Sequence, residues 1–169
     1  VDADRPSFEA YVRARTMALS RIAYLLTGDH HLAEDLVQQT FLSVAGRWER
    51  LVAEGDPDAY VRKVLYHQHV SWWRRARRIT HVSLTGVDRA LPDRTDEVGV
   101  TVAVQRALTR LGPRQRAALV LRYFEDLTEA ETAEVLGCRV GTVKSQVRDG
   151  LARLRALAPE LADLLEVTS

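Results

Sequence analysis

Only one cysteine, Cys138, stands among the 169 residues. A lone thiol can form neither an internal disulfide nor the usual structural zinc site, and a reducing, cytoplasmic location is the default expectation. Glycine and proline are sparse, at nine and five residues, so the turn-and-strand rhythm of an all-β protein is missing. No apolar run exceeds the five residues of Ala117–Leu121. A membrane span needs roughly 20, so no membrane insertion is expected. The start, Val1-Asp2-Ala3-Asp4, has neither the basic opening nor the apolar stretch of a signal peptide.

Catalytic constellations are equally scarce. There is no glycine-rich phosphate loop and no convincing nucleophile–base pair. His67 and His69 are two positions apart, which on a helix points them roughly 200° apart, and the adjacent His30 and His31 have the same difficulty. Neither pair can ligate one metal ion from a regular helix. The expectation is therefore a protein with no catalytic residues, no metal, no cofactor and no enzymatic activity.

What is present is helix-forming composition and segregated charge. The net charge of +1 is the sum of blocks. Residues 29–58 carry seven acids and two bases, whereas 60–81 carry six bases and no acid. Residues 106–122 are net +5, 125–134 net −5 and 139–155 net +4. Such blocks predict localised electropositive surfaces, while the small total suits a protein that needs help to hold DNA.

Apolar periodicity predicts a helix over 7–27, with Phe8, Tyr11, Val12, Leu19, Ile22, Ala23 and Leu26 on one stripe, ended by Gly28. A second is expected over 30–52, with Ala33, Leu36, Val37, Phe41, Val44, Ala45, Trp48 and Leu51 inward. Asp56-Pro57 is a strong start for a third, over 57–78, whose buried stripe is Tyr60, Val61, Val64, Leu65 and Trp72. Residues 79–98 break the pattern and read as a linker of some 20 residues, able to reach at most ~65–70 Å. Four more helices are expected over 98–111, 114–124, 128–136 and 140–158.

Two stretches carry information. From Leu127 to Leu154, Thr128 and Glu131 make a capping box, Gly137-Cys138-Arg139 a tight turn, and Val143, Val147, Leu151 and Leu154 an inward stripe. This is a helix-turn-helix, whose second helix turns Thr142, Lys144, Ser145, Arg148 and Asp149 outward, as suits a major groove. An ordinary helical hairpin with a solvated basic face is the bland alternative. The other stretch is the end of the third helix, where Tyr66, Trp72 and Trp73 lie among His67, His69, Arg74, Arg75, Arg77 and Arg78. Aromatic faces stack on unpaired bases while arginines hold phosphates. The competing reading makes both tryptophans core. The spacing favours Trp72 as the core residue and leaves Trp73 more exposed. Asp35, Gln38 and Gln39 share one side of the second helix, which alone is no more than a solvated face.

Taken in order, these segments resemble the extracytoplasmic-function (ECF) sigma factors of bacterial RNA polymerase, in the actinobacterial style, over about 8–158. The resemblance rests on Ala33-Glu34-Asp35-Leu36-Val37-Gln38-Gln39-Thr40-Phe41, on Tyr60-Val61-Arg62-Lys63-Val64 and Ser71-Trp72-Trp73-Arg74-Arg75. In the second half it rests on Leu111-Gly112-Pro113-Arg114-Gln115-Arg116, Gly137-Cys138 and Gly141-Thr142-Val143-Lys144-Ser145. It implies an all-α protein of two small helical domains, sigma region 2 (7–79) and the helix-turn-helix of region 4 (98–160), joined by a flexible linker (80–97).

It further implies that Asp35, Gln38 and Gln39 dock on the clamp of the polymerase largest subunit, with region 4 on the second-largest. His67, Trp73, Arg74, Arg75, Arg77 and Arg78 would capture the melted non-template strand of the −10 element. Arg139, Thr142, Lys144, Ser145, Arg148 and Asp149 would read the −35 element as duplex, and the family allows for an anti-sigma partner. This chain departs from the family at His67, where many members have asparagine. It departs again at Arg139, where serine or proline is usual, and at Asp149, where arginine is frequent. An unusual −35 preference is the expectation. A stand-alone helix-turn-helix regulator, binding duplex DNA without polymerase, is the alternative.

Overall fold

A computed structural model describes residues 7–79 and 97–159, the segments 77–79 and 97–101 in backbone only. Among the described residues there are eight helices and no strand. They are α1 (Phe8–Thr27), α2 (His30–Ala45), α3 (Trp48–Glu54), α4 (Pro57–Ile79), α5 (Glu97–Thr109), α6 (Pro113–Tyr123), α7 (Glu129–Leu136) and α8 (Val140–Leu157). None of the helices is long and apolar enough to cross a membrane among the described residues. The linker lies outside the described residues up to position 96.

Helix boundaries follow local chemistry. The Ser7 hydroxyl accepts from the Ala10 amide at 3.2 Å to open α1. Gly28, at φ 72°, closes it in the left-handed conformation, and its amide donates to the Tyr24 carbonyl at 2.8 Å. Asp29 then caps α2 through the Leu32 amide at 3.0 Å, and Asp56 caps α4 through Ala59 at 3.0 Å, with Pro57 in the first turn.

The single helix expected over 30–52 is two. It breaks at Gly46-Arg47, where Arg47 donates back to Val44 at 2.9 Å. A Cβ at Gly46 would meet nothing within 4 Å, so glycine is there for no steric reason. The redirection carries Trp48 under α1, with ring centroids 5.5 Å from Phe8 and 4.6 Å from Tyr11. The break also leaves Ala45, expected inward, exposed.

In the second half, Gly112-Pro113 opens α6, and α7 has the full reciprocal capping box. The Thr128 hydroxyl accepts from the Glu131 amide at 3.2 Å, and the Glu131 carboxylate accepts from the Thr128 amide at 2.7 Å. The Thr128 hydroxyl also donates to the Glu131 carboxylate at 2.7 Å, and that bond first, then the one from the Thr128 amide, holds the carboxyl below its ordinary pKa. Thr128→Ala is expected to cost about 1 kcal/mol. That should lower the thermal midpoint by roughly 2–4 °C, read by circular dichroism. An unchanged midpoint would show that α7 is fixed by packing alone.

The two halves lie in contact: α4 packs on α6 and α7, and α1 on α5 and α6. One apolar core runs through both halves, from Leu36, Val44, Val61 and Leu65 to Leu108, Leu119 and Leu121. On α4 the face bearing Arg62, Tyr66, His69 and Trp73 is the one pressed against the second half. Trp73, expected to be the exposed tryptophan, is half-buried because α6 covers it, and Trp72 packs partly buried against the core.

Candidate nucleic-acid interface

The turn between α7 and α8 is built as its sequence suggests. Gly137 takes φ 64°, and the Cys138 amide donates to Ala133 at 3.0 Å. Arg139 occupies the N-cap of α8 and makes no side-chain cap bond there. Val143 and Leu154 are buried, with Val147 and Leu151 packed against the core, so the opposite face of α8 is left to solvent. Close approach to α6 occurs at Gly150, where a Cβ would lie 3.0 Å from the Leu119 side chain.

The outward side chains are lightly held. Lys144 is exposed and 3.6 Å from Glu129. Arg148 donates to its neighbour Asp149 at 3.0 Å, and Ser145 to the Thr142 carbonyl at 2.9 Å. Surface pairs of this kind contribute about 0–1 kcal/mol and exchange readily for phosphate. Val140, 39% exposed at the front of α8, is an apolar group in the same surface. Its signal, an apolar residue just after the turn, is indistinguishable in sequence from a core position.

On α4, Arg74 and Arg75 are exposed and His67 stands out to solvent. The side chains of Arg77 and Arg78 lie outside the described residues. A hollow of about 350 Å³ beside His67 is lined also by Tyr60, Lys63, Gln68 and Ser71. On its other side His67 opens onto a larger cleft of about 800 Å³, shared with Arg74, Arg114, Arg139, Thr142 and Gln146. The structure thus brings together His67 and Arg74, expected at single strands, with Arg139 and Thr142, expected at duplex. It leaves Arg75, Lys144, Ser145, Arg148 and Asp149 outside that cleft. Arg114 carries no mark of a binding residue in the sequence. It opens α6 within Gly112-Pro113-Arg114, a context that reads as a helix start rather than a site.

Two further residues, His69 and Arg116, are buried at the junction. His69 is fully enclosed. Burial, and then the Arg116 charge, push its pKa down to about 3. Arg116 is 1% exposed and has its pKa lowered to about 10 by burial. Asp35, Gln38 and Gln39 are all exposed on α2, away from the junction residues, and Leu42, 77% exposed, continues the same side. Among the described residues no group of three or more His, Cys, Asp or Glu side chains could hold a metal ion.

Residues 11–79 match the family model for Sigma-70 region 2, and 101–154 that for Sigma-70 region 4. The chain is 38% identical over 149 residues to an RNA polymerase sigma-E factor of Streptomyces avermitilis, covering 88% of this chain and 83% of that protein. It is 32% identical over 157 residues to the ECF RNA polymerase sigma factor SigM of Mycobacterium tuberculosis, covering 93% and 80%. Among solved structures, the sigma factor RpoE of Bartonella quintana, crystallised with the anti-sigma factor NepR, superposes with a TM-score of 0.71 at 24% identity. That likeness covers 89% of this chain and 95% of RpoE, and it is a likeness of fold.

Proposed function

The chain belongs to the ECF sigma factors of RNA polymerase, and from that premise we propose how its surfaces divide the work of initiation. α8 reads a −35 element as duplex, α4 captures the melted −10 non-template strand, and the exposed side of α2 docks on core polymerase. The boundaries are region 2 over 7–79, the linker over 80–97 and region 4 over 98–160. The chain has no catalysis of its own. The observation that carries the reading is the coexistence of two unlike nucleic-acid surfaces. One is a helix-turn-helix with polar and basic groups along the front of α8. The other is a cationic helix end with a hollow beside His67.

Each surface suits one state of DNA. Thr142, Lys144, Ser145, Arg148 and Asp149 project from one helix at major-groove spacing, and Arg139 sits at its start. Asp149 is an acceptor suited to a cytosine amino group and repels phosphate, which favours an atypical −35 sequence. Along α4, His67 and Arg74, with Arg75, Arg77 and Arg78 on the same helix, supply ring and guanidinium partners for unstacked bases and their phosphates. Trp73 joins them once its cover is lifted. Asp35, Gln38 and Gln39 meet the clamp of the largest subunit, and region 4 the second-largest. An anti-sigma factor is a further proposed partner, in keeping with RpoE having been crystallised with one.

The deciding experiment is transcription in vitro with purified core polymerase on a promoter library. Initiation at a defined pair of elements is the expected result, and failure at every template overturns the reading. Tight operator binding in the absence of polymerase would instead favour the stand-alone regulator. Two substitutions divide the surfaces. Lys144→Ala should weaken upstream duplex binding across sequences and lower the salt slope by about 1; an unaltered slope removes that contact. Trp73→Ala should shrink the permanganate-reactive bubble while sparing duplex docking, and an unchanged footprint counts against strand capture.

A further inference from the structure

Among the described residues, the cleft of about 800 Å³ beside His67 is lined by three guanidinium groups and by no carboxylate. Arg74 comes from α4, Arg114 from the first turn of α6 and Arg139 from the start of α8. All three side chains are exposed, and none of the ion pairs among the described residues involves them. Gathering three like charges around one hollow costs free energy that a bound anion recovers. The two helix starts that supply Arg114 and Arg139 strengthen the field. Neither Gly112 nor Arg139 makes a side-chain cap bond, and neither helix has an acid in its first turn. Cations there oppose the helix dipole, so both arginines stand where the fold alone favours Asp or Glu. The rest of the lining differs. Val70 and Leu136 form an apolar wall, and the His67 ring lies against the α7–α8 turn, 3.6 Å from where a Cβ on Gly137 would stand. Ser71, Thr142 and Gln146 add hydroxyl and amide groups.

The walls are set by bonds outside the cleft. Arg116, on α6 with Arg114, donates to the Leu26 carbonyl of α1 and to the Thr109 and Leu111 carbonyls at 2.7 and 3.1 Å. Gln105 of α5 donates to the Tyr24 carbonyl of α1 at 2.5 Å, and Arg62 of α4 to Glu125, just beyond α6, at 2.5 Å. A site held in place this way loses less freedom when it is filled. Its volume falls within the roughly 300–1,000 Å³ of ordinary ligand pockets. Guanidiniums and helix starts suit phosphate, whereas the ring and the apolar wall suit a flat base. We propose that the cleft binds a nucleoside polyphosphate, its phosphates on Arg74, Arg114 and Arg139 and its base against His67, Val70 and Leu136. The site goes beyond the division of promoter surfaces, since Arg114 belongs to neither DNA-reading set.

The test is calorimetric titration of the full chain, without polymerase or DNA, at physiological ionic strength, where attraction between exposed charges is screened beyond ~8 Å. The probes are ADP, GDP, inorganic pyrophosphate and adenosine. A single ADP or GDP should bind per chain, at least about 10-fold more tightly than pyrophosphate, which lacks the base, or adenosine, which lacks the phosphates. Arg114→Gln and Arg139→Gln, on different helices, should each weaken nucleotide binding at least about 10-fold while keeping the circular dichroism of the wild type. Arg153→Gln removes an exposed arginine of α8 outside the cleft and should bind as the wild type does. Failure of both nucleotides to bind overturns the site, as does unchanged affinity in the Arg114 and Arg139 variants. Pyrophosphate or adenosine binding as tightly as ADP and GDP overturns the nucleotide assignment. An equal loss in Arg153→Gln reduces the effect to diffuse attraction for polyanions and overturns it too. All of these outcomes are read without transcription, so they stand apart from success or failure of initiation on the promoter library.

Discussion

Asp35→Arg should weaken binding to core polymerase at least about 100-fold, a change equivalent to ~2.7 kcal/mol. Along α2, Ala33, Leu36, Val37, Thr40, Phe41 and Val44 are buried, and Asp35, Gln38 and Gln39 emerge on the other side. Among the described residues none forms a hydrogen bond or ion pair with the Asp35 carboxylate. Its replacement leaves the core intact, and circular dichroism of the variant should match the wild type. At an interface, however, the substitution sets a cation where an anion complements the partner, and such like-charge contacts cost several kcal/mol. Titration of labelled wild type and variant against purified core measures the effect. Equal affinities would mean that α2 docks nowhere near Asp35, and the exposed glutamines would revert to a merely solvated face.

The second large effect is one of pH. Stability of the packed protein should fall as pH drops below about 6, through His69. In the folded chain its pKa lies near 3, lowered first by burial and then by the charge of Arg116 on α6. In an unfolded chain an imidazole titrates near 6.5. Between those values the unfolded state binds a proton that the folded state does not, so stability rises with pH through the window and is lost on acidification. The slope approaches roughly 1.4 kcal/mol per pH unit, since one pKa unit is worth that much. Glu131 acts in the same direction at lower pH, because its depressed carboxyl contributes stability that disappears on protonation. Urea unfolding between pH 5 and 6.5 therefore isolates the histidine. His69→Leu should flatten the profile there. A wild-type midpoint constant across that range would show that His69 reaches solvent or a proton acceptor.

The parts legible in the sequence were those written in local chemistry. Asp56 marks a helix start, Gly28 and Gly137 mark ends, and Thr128 with Glu131 predicts both bonds of the box on α7. Periodicity identified Leu36, Val61, Leu65, Val143 and Leu154 as inward positions. It reports which side of a helix is covered but not what covers it. Trp73 reads as exposed because, within its own half, it points outward; the cover comes from α6, 40 residues later in the chain. Likewise His69, Gln105 and Arg116 are polar letters at positions that look solvated. Their burial depends on carbonyls and rings of the other half. The Gly46 break went unread because the stripe through Trp48 and Leu51 stays in phase across it. Arg114 escaped notice for a related reason. Its place in the cleft with Arg74 and Arg139 is created by the approach of α4 to α6.

The acceptors for Gln105 and Arg116 in the first helix are main-chain oxygens, those of Tyr24 and Leu26. A carbonyl is supplied by every amino acid, so the junction asks little of side-chain identity at those two places. A chimera that grafts the C-terminal half onto the N-terminal half of a relative should therefore keep the two halves in contact, provided the graft brings its glutamine and arginine with it. The reverse exchange, lacking that pair, should yield two units that tumble independently.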